Sequence, residues 1–388
     1  MAEPRVDVLL PIYNAADTIE ESIRSIQAQT LGDFRVLAVD DGSSDATPDV
    51  LARLAAEDPR IKVLRKANGG IVEALNYGVA HSRAPLIARH DADDLSYPER
   101  FAEQVAYLDR HPDCVAISGY ARHIDGAGQP IGTYAIIPPV EACDPTAIPS
   151  REPYLMHPFL TIRRDALVQA GGYRYAFHSE DTDLYWRLLE LGRLHSLPFL
   201  VGDYRIHAAS ISSASVLNGR IAATASQLAA ISHLRRKAGR ADIPFEASRL
   251  DAYKRAETVE AIVTEAGRDL DADEQAYLRI AVAAKLLELV SYRPYRLSAQ
   301  DHAFIRAETD KAMPGLKPKD RANVRWLRSG CQARLLRRGE LGQFAAFTPL
   351  GDYPFAIARA LLKRPGVLRA KAPPPPRRAA ETAAQIAA

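Results

Sequence analysis

The chain has 388 residues, of which 47% are apolar and 25% charged, and its formal net charge is +2. That balance excludes wholesale disorder, collagen-like sequence and disulfide scaffolds, and the length predicts two domains or three. Near-neutrality argues against a dedicated nucleic-acid binder.

The first half alternates strand and helix patterns. Val6 to Ile12 reads as a buried strand, and Asp17 to Gln29 as a helix with Asp17 as its N-cap and Ile19, Ile23 and Ile26 on one face. Phe34 to Val39, Ile61 to Leu64, Leu86 to His90 and Val115 to Gly119 read as further strands. Helices are predicted over Thr47 to Ala56 and Val72 to His81. Another begins at Ser96-Tyr97-Pro98-Glu99, which has the form of a capping box. This alternation predicts an α/β fold with a doubly wound, mainly parallel sheet. In such sheets ligands bind beyond the carboxyl ends of the strands.

Two of those ends are acidic: Asp40-Asp41-Gly42-Ser43-Ser44-Asp45 and His90-Asp91-Ala92-Asp93-Asp94. Crowded carboxylates repel unless something positive compensates, and hard oxygen ligands suit Mg²⁺ or Mn²⁺. Each cluster alone also fits a turn that caps the next helix. Two clusters on one sheet edge weaken that alternative, because both face the same crevice. Ser179-Glu180-Asp181-Thr182-Asp183 precedes an amphipathic helix. It fits either a charged first turn or a carboxylate placed to take a proton from a substrate hydroxyl. In Tyr204-Arg205-Ile206-His207, Arg205 can neutralise phosphate and His207 can complete a metal shell, or both are ordinary surface residues.

Taken in order, these segments resemble the family 2 glycosyltransferases, which have the GT-A fold. The resemblance rests on Val8-Leu9-Leu10-Pro11-Ile12-Tyr13-Asn14, Val39-Asp40-Asp41-Gly42-Ser43-Ser44-Asp45, Asn68-Gly69-Gly70 and Arg89-His90-Asp91-Ala92-Asp93-Asp94. It continues through Pro98-Glu99-Arg100, His157-Pro158, Gly171-Gly172-Tyr173, Glu180-Asp181-Thr182-Asp183-Leu184 and Tyr204-Arg205-Ile206-His207. It covers roughly residues 5 to 213 and implies an inverting, metal-assisted transfer of a sugar from a nucleotide-diphosphate donor, a UDP-sugar by preference. The acceptor is then a hydroxyl of a saccharide or of a lipid-linked acceptor, as in surface-polysaccharide assembly. Carried over by position, Pro11, Tyr13 and Asp41 hold base and ribose, Asp91 lies near ribose and metal, and Arg205 lies at the donor. Asp93, with His207, binds Mn²⁺ or Mg²⁺, and Asp181 is the general base. A sugar-nucleotide pyrophosphorylase is disfavoured, because Tyr13-Asn14-Ala15-Ala16-Asp17 holds no glycine and no basic residue. The intact Asp91, Asp93 and Asp181 argue against an inactive scaffold, and only the number of acids favours a hydrolase.

From Val216 the pattern is helical: Asn218–Ala238, Ala247–Ala266, Ala272–Tyr292, Ala299–Ala312 and Lys319–Leu341. The expected division is a glycosyltransferase domain over 1–214, a helical region over 215–370 and a disordered Pro/Arg/Ala-rich tail over 371–388. The Pro-rich stretch Ala135 to Pro153 fits either a mobile acceptor loop or a plain surface connection. Residues 1–316 carry 35 Lys/Arg against 44 Asp/Glu, whereas residues 317–388 carry 15 against 4. The basic part includes Phe355 to Arg364, which suits an anionic membrane surface or a solvated helix packed on its own domain. The cysteines Cys114, Cys143 and Cys331 have no metal-ligand or disulfide spacing, Met1 to Asp7 is too charged for a signal peptide, and no apolar run reaches the ~20 residues of a bilayer span. The expected place is the cytoplasm, with peripheral association at the inner face of the plasma membrane as an option.

Overall fold

A computed structural model of the chain describes residues 3–206, 215–293 and 295–362. Strands β1 (Val6–Ile12), β2 (Phe34–Asp40), β3 (Ile61–Arg65) and β4 (Leu86–Arg89) pair in parallel in the order β3-β2-β1-β4. Helices α1 (Ile19–Gln27), α2 (Thr47–Glu57) and α3 (Ile71–His81) cross between them. β1 is buried at every position, which explains its unbroken apolar run. Its register aligns Ile12 with Asp40, so the ends of β1 and β2 open side by side.

After β4 come β5 (Leu95–Ser96), α4 (Arg100–Arg110), β6 (Cys114–Ile124), β7 (Pro130–Ala135), β8 (Thr161–Arg163), α5 (Arg164–Gln169), α6 (Glu180–Leu188) and β9 (Arg193–Arg205). β8 lies antiparallel between β4 and β6, β9 runs parallel to β6, and β5 closes the edge on β9. The long pairings are parallel and the antiparallel ones short, so the sheet is the expected doubly wound, mainly parallel one.

Two predicted caps do not form. Thr18, not Asp17, is the N-cap of α1, and α4 starts at Arg100 after Glu99 with no capping side chain. The Ser96 hydroxyl instead meets His90 Nδ1 and accepts from Arg100 Nη1, which draws Ser96 into β5.

The helical part comprises α7 (Val216–Lys237), α8 (Arg249–Ala256), α9 (Val259–Ala266), α10 (Ala272–Tyr292), α11 (Ala299–Ala312), α12 (Pro318–Arg337), α13 (Leu341–Phe347) and α14 (Tyr353–Leu361). The helix expected over Ala247–Ala266 is two, broken at Glu257, whose φ of 56° is left-handed, and restarted by the Thr258 cap. The helix expected over Lys319–Leu341 ends at Arg337, before Gly339 at φ 72°. The expected tail, 371–388, lies outside the described residues.

These helices have their own core, yet they lock onto the sheet part. Trp186 of α6 packs on Ala229 and Ala230, and Ile148 packs on Ile280, Ala284 and Val324. The 135–153 stretch is therefore neither a free loop nor a plain connection over its second half. Tyr277 Oη donates to the carbonyls of Pro145 and Ala147 at 2.8 and 2.9 Å, Asn323 Nδ2 donates to the Ile148 carbonyl at 3.0 Å, and Ser150 N donates to Gln227 Oε1 at 2.9 Å.

Candidate active site

The ends of β1 and β2 build one wall. In β1 the Leu9 carbonyl accepts from His90, so alternate residues face β4; Pro11 also faces that way, but beyond the last pair, Leu9 with Arg89. Its missing N–H leaves no ladder bond unmade. Tyr13 follows, 54% exposed at the mouth. The turn after it is latched to the β2 loop: Asn14 N donates to Ser43 Oγ at 3.0 Å, Ser44 N to Asn14 Oδ1 at 2.8 Å, and Ala15 N to Thr47 Oγ1 at 2.8 Å. Gly42, at φ 76°, leaves room for the chain opposite; a Cβ there would meet Asn68 N at 2.8 Å.

Asp41 is buried, and its carboxylate accepts from Gly69 N at 3.0 Å, Gly70 N at 2.8 Å and Lys66 Nζ at 2.7 Å. Asp41 thus organises the Gly69–Gly70 turn at the start of α3.

The end of β4 carries the acidic cluster. Asp91, Asp93 and Asp94 each bring one carboxylate oxygen within 4.8 Å of the others. Asp94 Oδ1 accepts from Arg205 N at 2.8 Å, while Asp94 Oδ2 is buried without a partner. Burial and the charges of Asp91 and Asp93 push the Asp94 carboxyl well above the usual carboxylate range. Burial also raises Asp91, with Arg89 opposing and Asp93 adding to the shift. A divalent cation would relieve both the repulsion and the orphaned oxygen, so the donor set fits Mg²⁺ or Mn²⁺. Asp94 was not singled out by sequence, though it stands in the same acidic run.

The loop is held rigid from behind. His90 is fully buried. Its Nδ1 faces Arg100 Nη1 at 3.2 Å, a donor, which assigns the ring proton to Nε2, 3.1 Å from the Asp94 carbonyl. Burial keeps this imidazole neutral, well below its ordinary pKa. Arg100 Nη2 donates to the Arg89 carbonyl at 2.6 Å. This clamp accounts for Arg100 in the Pro98-Glu99-Arg100 motif.

Arg205 corrects an expectation. Its Nε donates to the Asp93 carbonyl at 2.7 Å, Nη2 to Glu21 at 2.8 Å, and Nη1 to the Asp125 and Gly126 carbonyls at 3.2 and 3.1 Å. The buried guanidinium is a strut for the acidic loop, with its donors already engaged, and not a free phosphate contact. His207 lies outside the described residues.

In the first turn of α6 three acids meet three environments. Asp183 is fully buried between Arg174 and Arg187, with Arg187 Nη2 at 2.7 Å and Arg174 Nε at 3.0 Å. These hydrogen bonds and charges outweigh burial and hold its carboxyl below the usual range. Asp181 is half-buried, accepts from Thr182 N at 2.7 Å, and is shifted up by burial. Burial and the Asp181 charge raise Glu180 to about 7. Divergent environments of this kind separate working carboxylates from structural ones. The turn is delivered by Gly171-Gly172-Tyr173: Gly172 sits at φ 69°, where a Cβ would meet Asn76 Oδ1 at 2.7 Å, and Asn76 holds both the N–H and the carbonyl of Tyr173.

Arg89 joins the two halves. It is buried, pairs with Asp91 Oδ1 at 2.5 Å through Nη2, and has no partner for Nε or Nη1. Its charge lowers the pKa of Asp91, Asp94, Glu180 and Asp181 alike. One buried cation therefore acts on both the acidic cluster and the α6 turn. Sequence offered only its place in the motif.

Comparison with known proteins gives the family. The family model "Glycosyl transferase family 2" matches residues 7–168. EpsE of Bacillus subtilis, named as a glycosyltransferase, is 32% identical over 194 residues, covering 49% of this chain and 68% of EpsE. The amylovoran biosynthesis glycosyltransferase AmsE of Erwinia amylovora is 29% identical over 188 residues, covering 48% of this chain and 70% of AmsE. Among solved structures, TarS 1-349 of S. aureus in complex with UDP-GlcNAc aligns with a TM-score of 0.51 at 18% identity, over 86% of this chain and 92% of that one. That likeness concerns the fold. The chain belongs to glycosyl transferase family 2.

Proposed function

We propose that this protein transfers a sugar from a nucleotide-diphosphate donor, a UDP-sugar by preference, to a hydroxyl of a saccharide or lipid-linked acceptor, with inversion at the anomeric carbon. The observation that carries the proposal is the cluster of three carboxylates at the end of β4, whose ion-pair partner Arg89 also acts electrostatically on Asp181 in the first turn of α6. Tyr13 and the Asp41-organised turn form the nucleotide wall. Asp181 accepts the proton of the attacking hydroxyl, directly or through one water. A single base suffices for one inverting displacement, unlike the paired carboxylates of hydrolases. Mn²⁺ or Mg²⁺ held by Asp91, Asp93 and Asp94 would neutralise the charge that grows on the departing diphosphate.

A role in polysaccharide assembly draws support from the name of AmsE. The proposed division is a catalytic part over 1–214 and a helical part over 215–370. We also propose a cytoplasmic protein whose helical part meets an anionic membrane surface. Residues 317–362 hold nine Lys/Arg against three Asp/Glu, and Leu350 and Leu361 in this stretch are 85% and 78% exposed. Among the described residues, no helix is long and apolar enough to cross a membrane.

The test is a thermal-shift screen of UDP- and GDP-sugars with Mn²⁺. Stabilisation by one donor, lost in Asp93→Ala, is expected. Equal stabilisation of wild type and variant would remove Asp93 from the metal site.

A further inference from the structure

The helical part does more than pack behind the sheet. Helix α10 is ion-paired to the segment that carries Tyr154. Lys285 of α10 is buried, and its Nζ lies 2.9 Å from Glu152 Oε1 and 3.4 Å from Glu288 Oε1. Glu152 belongs to the stretch pinned by Tyr277, Asn323 and Gln227, two residues before Tyr154. The ion pair therefore holds the Tyr154 segment beside the face of α10 on which Tyr292 lies, two turns beyond Lys285. Tyr185 Oη of α6 donates to the Leu155 carbonyl at 3.2 Å, which ties the same segment to the helix that bears Asp181.

Tyr154 and Tyr292 are each 40% exposed, a large open area for aromatic rings. The Tyr154 hydroxyl is acted on by the charges of Asp181, Arg293 and Glu152 and by the Tyr292 hydroxyl. Tyr292 is acted on in turn by Lys285, Glu288, Glu152 and Arg293. The Arg293 guanidinium lies 5.6 Å from the Tyr292 ring centre. On the other side, Tyr204 senses Asp94, Asp91 and Tyr154 together. Tyr154 thus shares its electrostatic surroundings with Asp181 and Tyr292. Its hydroxyl has a methionine sulfur, Met156 Sδ at 3.7 Å, as its protein partner, a weak acceptor that a sugar hydroxyl easily replaces.

Half-open aromatic rings beside polar groups are what a pyranose requires, because its C–H face packs on a ring while its rim hydroxyls hydrogen-bond. We propose that Tyr154 and Tyr292 form the subsite for a saccharide acceptor, so that the helical part supplies half of it. This rests on the glycosyl-transfer reading above. In the step, the acceptor oxygen forms a bond to the donor's anomeric carbon and its proton passes to the Asp181 carboxylate. The bond from that carbon to the diphosphate breaks, and its electron pair leaves with the nucleoside diphosphate.

Saturation-transfer NMR tests this on the full chain with UDP and diamagnetic Mg²⁺. The probes are the methyl pyranosides of glucose, galactose, mannose and N-acetylglucosamine. At least one should take up saturation on its ring protons. The signal should fall about fivefold or more in Tyr154→Ala and in Tyr292→Ala, and persist in Tyr292→Phe, which keeps the ring. Mn²⁺-dependent UDP binding should be equal in all four proteins, which also certifies their folding. Silence from every glycoside, or signals undiminished in both alanine variants, overturns the subsite. Asp181→Asn separates the two ideas: it should keep the glycoside signal and lose transfer. A wild type that binds the glycosides but never UDP would sink glycosyl transfer while leaving a saccharide site.

Discussion

Arg205 donates its backbone N–H to Asp94 Oδ1 at 2.8 Å, and its Nε donates to the Asp93 carbonyl at 2.7 Å, so one residue at the end of β9 fixes two consecutive members of the acidic cluster. A side chain that orients metal ligands without touching the metal still tunes affinity. Arg205→Lys keeps the charge but loses the planar fork that reaches Asp93, Glu21 and Asp125 together. Mn²⁺-dependent UDP affinity should fall about tenfold by calorimetry. Unchanged affinity would show that the strut is dispensable.

The pH dependence follows from Glu180 and Asp181. Glu180 is raised to about 7, and Asp181 is also raised, each chiefly by burial. A base works only when ionised, so turnover should fail as pH drops through a range above that of an ordinary aspartate. Glu180→Gln removes a like charge beside Asp181, and the acid limb of kcat should move to lower pH. A limb that stays in place, or rises, contradicts the coupling.

Asp183 carries a stability prediction. Its carboxylate is buried between two guanidiniums, and Asn in its place leaves Arg174 and Arg187 facing a neutral amide. Breaking a buried pair of this kind costs about 3–5 kcal/mol, seen as a loss in denaturant midpoint. Because the folded carboxyl is held low, its stabilisation is present above the unfolded carboxylate pKa and is lost as pH falls through the depressed value. A shift within measurement error would show that the arginines find other partners.

The basic composition and exposed leucines of residues 317–362 predict flotation with phosphatidylglycerol vesicles at low salt and not with phosphatidylcholine alone. Leu350→Glu combined with Leu361→Glu should abolish it. No flotation of the wild type at low salt dismisses the membrane proposal.

How much of this was legible in sequence depended on whether a residue's role was local. β1 and β2 were readable because both are buried runs, and the acids at their ends fall out of strand boundaries. β8 and β9 were not: one is three residues long, and the other contains Pro198 and slips register against β6, so neither keeps a clean period. Asp93 and Asp181 stood out as acids at an edge and at a helix start. Arg205 looked like a phosphate ligand because sequence cannot tell that Glu21 and the Asp125 carbonyl had claimed its donors. The Ser96 capping box failed because Arg100, four residues on, needed the same hydroxyl. The bridge from Glu152 to Lys285 spans 133 positions, and no periodicity announces it.

The most direct measurement compares wild type with Asp181→Asn in two assays on the same samples: release of UDP from the UDP-sugar that stabilises the protein, and Mn²⁺-dependent binding of UDP. The account predicts that release is abolished in the variant while UDP affinity stays within about twofold of wild type, because Asp181 acts on the nucleophile and not on the nucleotide. Near-wild-type release by Asp181→Asn would contradict it.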